Sequence, residues 1–202
     1  MSADTTIPNG PGGEVPQRGA PILPFERVMP ETMRFVEAWS RWRGSRLLPR
    51  RSDMRLADIK RLLPLVVLLE SRSPTNVVFR VAGSRMRDYL GVDLSGCNYI
   101  ELAPESFRPI RIWRVQQQLS RPCGALFIYP HRFPSGAVAP AETISLPVDD
   151  GRPGKPPMLL SLVTPLTSRI EDPPPDGKRE VFFATEFAFV DLGAGIPDRT
   201  VP

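Results

Sequence analysis

The chain has 202 residues, 41% of them hydrophobic, which is enough to build one ordinary core and too much for a wholly disordered polymer. Its formal charge is +4 with 24% charged residues, an ordinary load that does not by itself define a nucleic-acid binder. Two cysteines outside any CxxC pair and a single histidine leave a structural zinc set unfilled, so no metal and no cofactor are expected.

Met1 to Gly13 has no basic region followed by an apolar one, so no cleaved signal is expected and the chain is assigned to the cytoplasm. The longest apolar run, Leu62 to Leu69, contains Pro64 and falls far short of the roughly 20 residues that cross a bilayer. Residues 1–30 are rich in Pro and Gly and are read as a flexible leader. From Glu31 the texture changes. Phe35, Val36, Trp39 and Trp42 share one helical face, Glu37 and Arg41 form an i,i+4 pair, and Gly44 ends the helix. A second short helix is predicted from Leu56 to Leu63, capped by Asp53 and stopped by Pro64.

Leu65–Glu70 reads as a buried strand, Ser71–Asn76 as a turn around Pro74, and Asn76–Ala82 as the partner strand of an antiparallel hairpin. Gly83 breaks that strand ahead of a short helix, Ser84–Leu90, and a turn-rich connector, Gly91–Gly96. Ser106 is the expected N-cap of a longer helix reaching Leu119, with Ile112, Val115 and Leu119 as its stripe and Pro122 beyond its end. Three strands follow: Ala125–Tyr129, Glu142–Val148 and Met158–Thr164. The middle one alternates Ile144, Leu146 and Val148 with Thr143 and Ser145. Residues 167–180 read as a linker, and 181–202 as a C-terminal strand and tail in which the 181–190 segment remains open between strand and amphipathic helix.

This order predicts an α+β domain whose five antiparallel strands carry helices on one face, preceded by an N-terminal amphipathic helix. Strand pair, helical middle and three further strands resemble the PAS fold. The likeness extends to sequence: LPRRSDMRLADIKRLLPLVVLLE at 48–70, then an F-R-x-A-G strand end at Phe79, Arg80, Ala82 and Gly83, and a turn with Gly91, Leu94 and Gly96. In these features residues 31–166 resemble the PAS family, and within it the small single-PAS proteins of alphaproteobacterial type. Gly83 and Gly96 have a local explanation, since a strand-to-helix turn and a tight turn favour backbone angles that only Gly adopts cheaply.

The resemblance implies a non-enzymatic sensory or protein-interaction module of signalling, with no output domain of its own. It also implies a small apolar ligand cavity between the sheet and the helix at 106–120. Candidate lining residues, chosen for apolar bulk, are Met86, Tyr89, Trp113, Phe127, Ile144, Leu146, Leu160 and Leu162. Phe35, Trp39 and Trp42 are candidates for a homodimer interface, with folding back onto the chain's own sheet as the alternative. The implied partners are thus a second copy, a signalling protein and a small molecule. His131 sits in a Pro-rich stretch and reads as an exposed loop residue rather than a haem ligand. Cys97 lacks the motif of flavin-adduct relatives and reads as a small buried residue. No nucleophile elbow, catalytic triad or phosphate loop is present.

Basic charge is concentrated in Arg41, Arg43, Arg46, Arg50, Arg51, Arg55, Lys60 and Arg61. Against Asp53 and Asp58 that is a local excess of six, so the remainder of a +4 chain is acidic by two. A nucleic-acid or nucleotide-binding protein using this patch is the alternative function, less favoured because neither interleaved aromatics nor a basic recognition helix accompanies the charge.

Overall fold

The computed structural model describes residues 19–90, 93–132, 138–166, 184 and 186–198. The leader before residue 19, Gly91, the connector at 133–137 and the linker at 167–180 lie outside the described residues.

Among the described residues, three α-helices and six strands follow in the order α1 (Pro30–Arg43), β1 (Val66–Ser73), β2 (Asn76–Ala82), α2 (Ser84–Leu90), α3 (Arg108–Ser120), β3 (Gly124–Arg132), β4 (Val138–Val148), β5 (Met158–Pro165) and β6 (Glu186–Val190). The strands form one antiparallel sheet in the order β2-β1-β5-β4-β3-β6. The five expected strands are therefore joined by a sixth, and the C-terminal segment is a strand: Phe187 pairs with Phe127 and Phe189 with Ala125. Prolines sit where the ladder tolerates a missing N–H. Pro130 lies beyond Ile128, which pairs with Glu186 at the start of β6, and faces Pro140 across the β3–β4 hairpin.

Helix α1 begins with Pro at its first position and ends at Gly44, whose φ of 56° is the left-handed geometry that glycine tolerates and whose N–H donates to the Ser40 carbonyl. Its apolar face does not remain open. Phe35, Val36, Trp39 and Trp42 are buried on the sheet with Leu126, Ile144, Leu146, Leu160 and Leu162. Two indoles also find partners: Trp39 Nε1 donates to the Pro147 carbonyl at 3.0 Å and Trp42 Nε1 to Asp58 Oδ2 at 2.9 Å. Full burial of such side chains contributes about 1.5–3 kcal/mol each, so α1 is an integral layer of the domain. Helices α2 and α3 cover the opposite face, where Met86, Val115 and Leu119 pack with Val67, Leu69, Phe79, Leu159 and Val163.

Several local expectations are corrected. The segment predicted as a helix over 56–63 is instead a set of 3-10 turns, Leu56–Ile59 and Leu63–Leu65; Ile59, Leu62 and Leu65 are buried in the core, Leu63 packs against it, and Pro64 cuts the run short. Asp53 does not cap it but bonds back to the Arg50 N–H and pairs with Arg46. Ser106 falls inside a 3-10 turn, Glu105–Phe107, and α3 starts without a side-chain cap. Gly96, at φ 79°, is the expected turn glycine. Gly83 has a different cause: a Cβ there would lie 2.3 Å from the Pro64 carbonyl oxygen and 2.4 Å from that of Leu63, so close backbone approach excludes any side chain.

Candidate functional site: a cavity under helix α3

A cavity of about 250 Å³ lies between the sheet and the α2–α3 layer. Its floor is built from one parity of the central strands: Thr143 and Ser145 of β4, Leu159, Ser161 and Val163 of β5, Val67 and Leu69 of β1. Aromatic rings of β3 and β6 close one end. Phe127 stacks with Phe187 at 5.8 Å between centroids and tilts against Tyr129 at 5.9 Å. The roof comes from Met86 of α2, from Tyr99 and Phe107, and from Arg111, Arg114, Val115 and Gln118 of α3.

The polar groups of the roof are held in place. Arg111 donates from Nη1 to the Tyr99 carbonyl at 2.8 Å and lies over the Tyr99 ring at 4.6 Å, and Tyr99 packs edge-on against Phe79. Arg114 lies 3.9 Å over the Phe187 ring. Burial, more than anything else, holds its guanidinium below the usual arginine range; Arg111 pushes the same way and Tyr99 opposes. Burial likewise pushes the Tyr129 phenol up to about 12, so that side chain stays neutral well past neutral pH. Cys123, buried below the start of β3, is pushed to about 12 by burial and is a poor nucleophile.

The residues chosen from sequence divide between the two faces. Met86 and Phe127 line the cavity. Ile144, Leu146, Leu160 and Leu162 are corrected to the other side of the sheet, in the core against α1. The physical reason is parity: alternation separates two faces but does not say which one a cavity occupies, and the more apolar face here belongs to the buried aromatic helix. Trp113 is corrected too. It packs edge-on against Phe189 at 5.7 Å and lines a shallow surface depression beside Arg121 and Pro197. The side chains of Tyr89 and His131 lie outside the described residues, although residue 131 itself belongs to β3 rather than to a loop. Phe35, Trp39 and Trp42 are buried within their own chain, as the alternative had it, and their rings are not presented to a second copy.

Sequence reasoning missed Arg111, Arg114, Gln118, Thr143, Ser145 and Ser161, all of which line the cavity. The signal was available for the strand residues: Thr143 and Ser145 alternate with the α1-facing set and lie on the opposite side of β4. Buried Glu142 was also missed; it shares the parity of Ile144 and Leu146, and it accepts from the Met29 N–H.

Of the basic patch, Arg41, Arg46, Arg50, Arg51, Arg55, Lys60 and Arg61 are exposed. Arg43 is corrected to the interior: it is 3% exposed, lies over the Trp39 ring at 5.0 Å, and donates to the carbonyls of Leu192 at 2.9 Å and Gly19 at 2.6 Å. It ties the segments flanking the domain to α1. Cys97 and Cys123 are free thiols. Among the described residues no group of three or more His, Cys, Asp or Glu could hold a metal, and no helix is long and apolar enough to cross a membrane.

A PAS-ordered sheet, a helical layer inserted after its second strand, and a cavity between them define a sensory-domain architecture. The sequence model of the PAS domain family matches residues 27–164, and the chain belongs to that family, a non-catalytic sensory fold associated with signalling. Among curated proteins, none matches the chain.

Proposed function

We propose that the chain is a sensory or protein-interaction module of cytoplasmic signalling that takes a small, largely apolar ligand into the cavity under α3 and passes its occupancy to a protein partner. One observation carries this reading: the cavity of about 250 Å³ is walled mainly by apolar and aromatic side chains contributed by both the sheet and α3. Its size, just below the usual range of drug-sized pockets, points to a compact ligand. A route outward is supported by β6. Phe187 lines the cavity, Val190 at the end of β6 and Leu192 just beyond it pack in the α1-side core, and the Leu192 carbonyl accepts a hydrogen bond from Arg43 of α1. Ligand binding would act by favouring one packing of β6 and α1 over another, to the extent of its differential affinity for the two. The free thiols of Cys97 and Cys123 accord with a reducing compartment.

Native mass spectrometry of the purified full chain tests the proposal. The expected result is a retained small molecule that is released on denaturation. A chain that carries no added mass, and that gains none from a screen of compact hydrophobic compounds, would overturn it.

The exposed cations Arg41, Arg50, Arg51, Arg55, Lys60 and Arg61 favour a second reading, an electrostatic site for nucleic acid or nucleotide. Asp53 pairs with Arg46, which leaves Asp58, an acceptor from the neutral Trp42 indole, as the one carboxylate of the segment set against those six. A steep fall of oligonucleotide binding with salt would support it.

A further inference from the structure

The turns that follow α1 present an apolar end inside a ring of cations. From Arg55 to Leu65 the backbone is tightened by hydrogen bonds three residues apart: the Asp58 N–H donates to the Arg55 carbonyl at 2.9 Å, Lys60 to Ala57 at 3.3 Å, Leu62 to Ile59 at 2.8 Å and Leu65 to Leu62 at 2.8 Å. That spacing stacks Leu56, Ile59, Leu62 and Leu65 in one row. The last three are buried, whereas Leu56, the outer end of the row, is 52% exposed. Arg55, Lys60 and Arg61 are exposed around it, and a rise of about 2 Å per residue confines all three to about 12 Å of turn. The bond from Trp42 to Asp58 and the Arg46–Asp53 pair tie the turns to α1 and to the intervening loop, which add the exposed Arg41, Arg50 and Arg51.

Exposed arginines elsewhere are paired, Arg87 with Asp93, and Arg80 and Arg152 with Glu70. Among the described residues none of the six cations beside Leu56 is in an ion pair. Two acids from the end of β4 do not answer them. Asp149, whose carbonyl accepts from the Arg51 N–H, gives its carboxylate to the Gly151 N–H, and Asp150 pairs with Arg152. With Asp58 as the one carboxylate of the segment, the excess is five positive charges, whose mutual repulsion a partner bearing carboxylates relieves.

A single exposed leucine is ordinary on a protein surface, and so is a solvated charge. An apolar centre within a rim of one sign is the pattern of a protein interface. Nucleic acid fits it less well: aliphatic Leu56 gives bases no ring on which to stack, Trp42 is buried, and a run of 3-10 turns is not a groove-reading helix.

Resting on the protein-interaction half of the reading above, we infer that the surface around Leu56 docks an acidic segment of a partner protein in which Asp and Glu flank an apolar side chain. The apolar side chain packs on Leu56, and the carboxylates face Arg55, Lys60 and Arg61. The cations set the rate of association and its salt dependence, and the contact on Leu56 sets specificity among acidic sequences.

The test uses three fluorescein-labelled probes with the purified full chain: a peptide of three Glu-Leu-Asp-Glu repeats, the same peptide with Ser in place of Leu, and an oligothymidylate of equal charge. The leucine peptide is expected to bind tightest, about fivefold or more above the serine peptide, with affinity that falls as salt rises. Arg55→Glu and Arg61→Glu should each weaken it about fivefold or more, while Arg72→Glu, the same charge change on an exposed residue near the far end of β1, stays within about twofold. Leu56→Ser should weaken the leucine peptide about fivefold and leave the serine peptide within about twofold. Thermal melts matching the parent show that each variant is folded. Equal response to Arg55→Glu and Arg72→Glu, equal affinity for the two peptides, or tighter binding of the oligothymidylate overturns the inference, the last in favour of nucleic acid. Self-association at low salt that Arg61→Glu abolishes would give the surface to a second copy and overturn it too. Absence of binding by every probe also overturns it, and a ligand retained in native mass spectrometry would still leave the cavity reading standing.

Discussion

The carboxylate of Glu142 accepts a hydrogen bond from the backbone N–H of Met29 at 3.1 Å, joining residues 113 apart in the chain. Met29 is the N-cap of α1 and has no side-chain oxygen with which to cap it, so the acceptor comes from the sheet instead. A negative charge at a helix N-terminus is also favoured by the peptide dipoles. Glu142 is 1% exposed, and its position explains how a carboxylate is tolerated in the layer between sheet and helix. The helix that covers the open sheet face is thereby fixed at its start by β4 and further along by the Trp39–Pro147 bond.

Replacing Glu142 by Ala removes that acceptor and leaves the Met29 N–H without it, a loss of about 1–3 kcal/mol. Glu142→Gln retains an oxygen acceptor and is expected to lose less. Urea denaturation followed by tryptophan fluorescence distinguishes the two; an Ala variant as stable as the parent would show that the bond does not anchor α1.

Gly83→Ala should destabilise by about 1–3 kcal/mol, because its methyl group would meet the carbonyl oxygens of Leu63 and Pro64. Gly19→Ala, where nothing lies within 4 Å, is the matched control and should stay within about 0.5 kcal/mol of the parent. Thermal melts of the pair measure the contrast, and similar melts would refute the close-approach explanation.

Alkaline pH should weaken the fold through Tyr129 and Cys123. Burial raises Tyr129 from 10.0 and Cys123 from 9.0, each to about 12. Groups raised in this way contribute stability that is complete below their ordinary values and is lost as pH climbs to about 12. Unfolding midpoints should therefore fall across that alkaline window, with the Tyr129 phenol ionising late in it. Tyr129→Phe should abolish the late tyrosinate absorbance step; its persistence would assign the step elsewhere.

Strand parity gives a fourth test. Leu162→Ala removes a fully buried side chain from the α1 layer and should cost about 2–5 kcal/mol without changing the cavity wall. Ser161→Ala, its neighbour on the cavity face, should cost far less while altering the affinity of any cavity ligand. Paired denaturation and binding measurements check this, and a reversal of the two effects would invert the assignment of faces.

Much of the architecture was legible in the sequence because its signals are local. The Trp39 and Trp42 stripe, Gly44 and the alternation from Thr143 to Val148 each record a backbone periodicity that neighbouring residues enforce together. The cavity was less legible. Ile144 and Leu146 were chosen for bulk, yet the cavity took Thr143 and Ser145, since the side of a sheet that keeps free space depends on which helix closes over it. Arg43 shows the same limit: within a run of basic residues nothing local marks the one guanidinium whose partners, Gly19 and Leu192, arrive from the two flanking segments.

The sequence by itself determined the antiparallel platform, the helix that precedes it and the PAS order of elements, all of which follow from short-range periodicity and turn chemistry. Tertiary structure alone decided that α1 lies on its own sheet, that β6 extends the sheet, and that two arginines of α3 overlook the cavity. Those outcomes depend on contacts between residues far apart in the chain, where burial and charge are fixed only after the layers have closed.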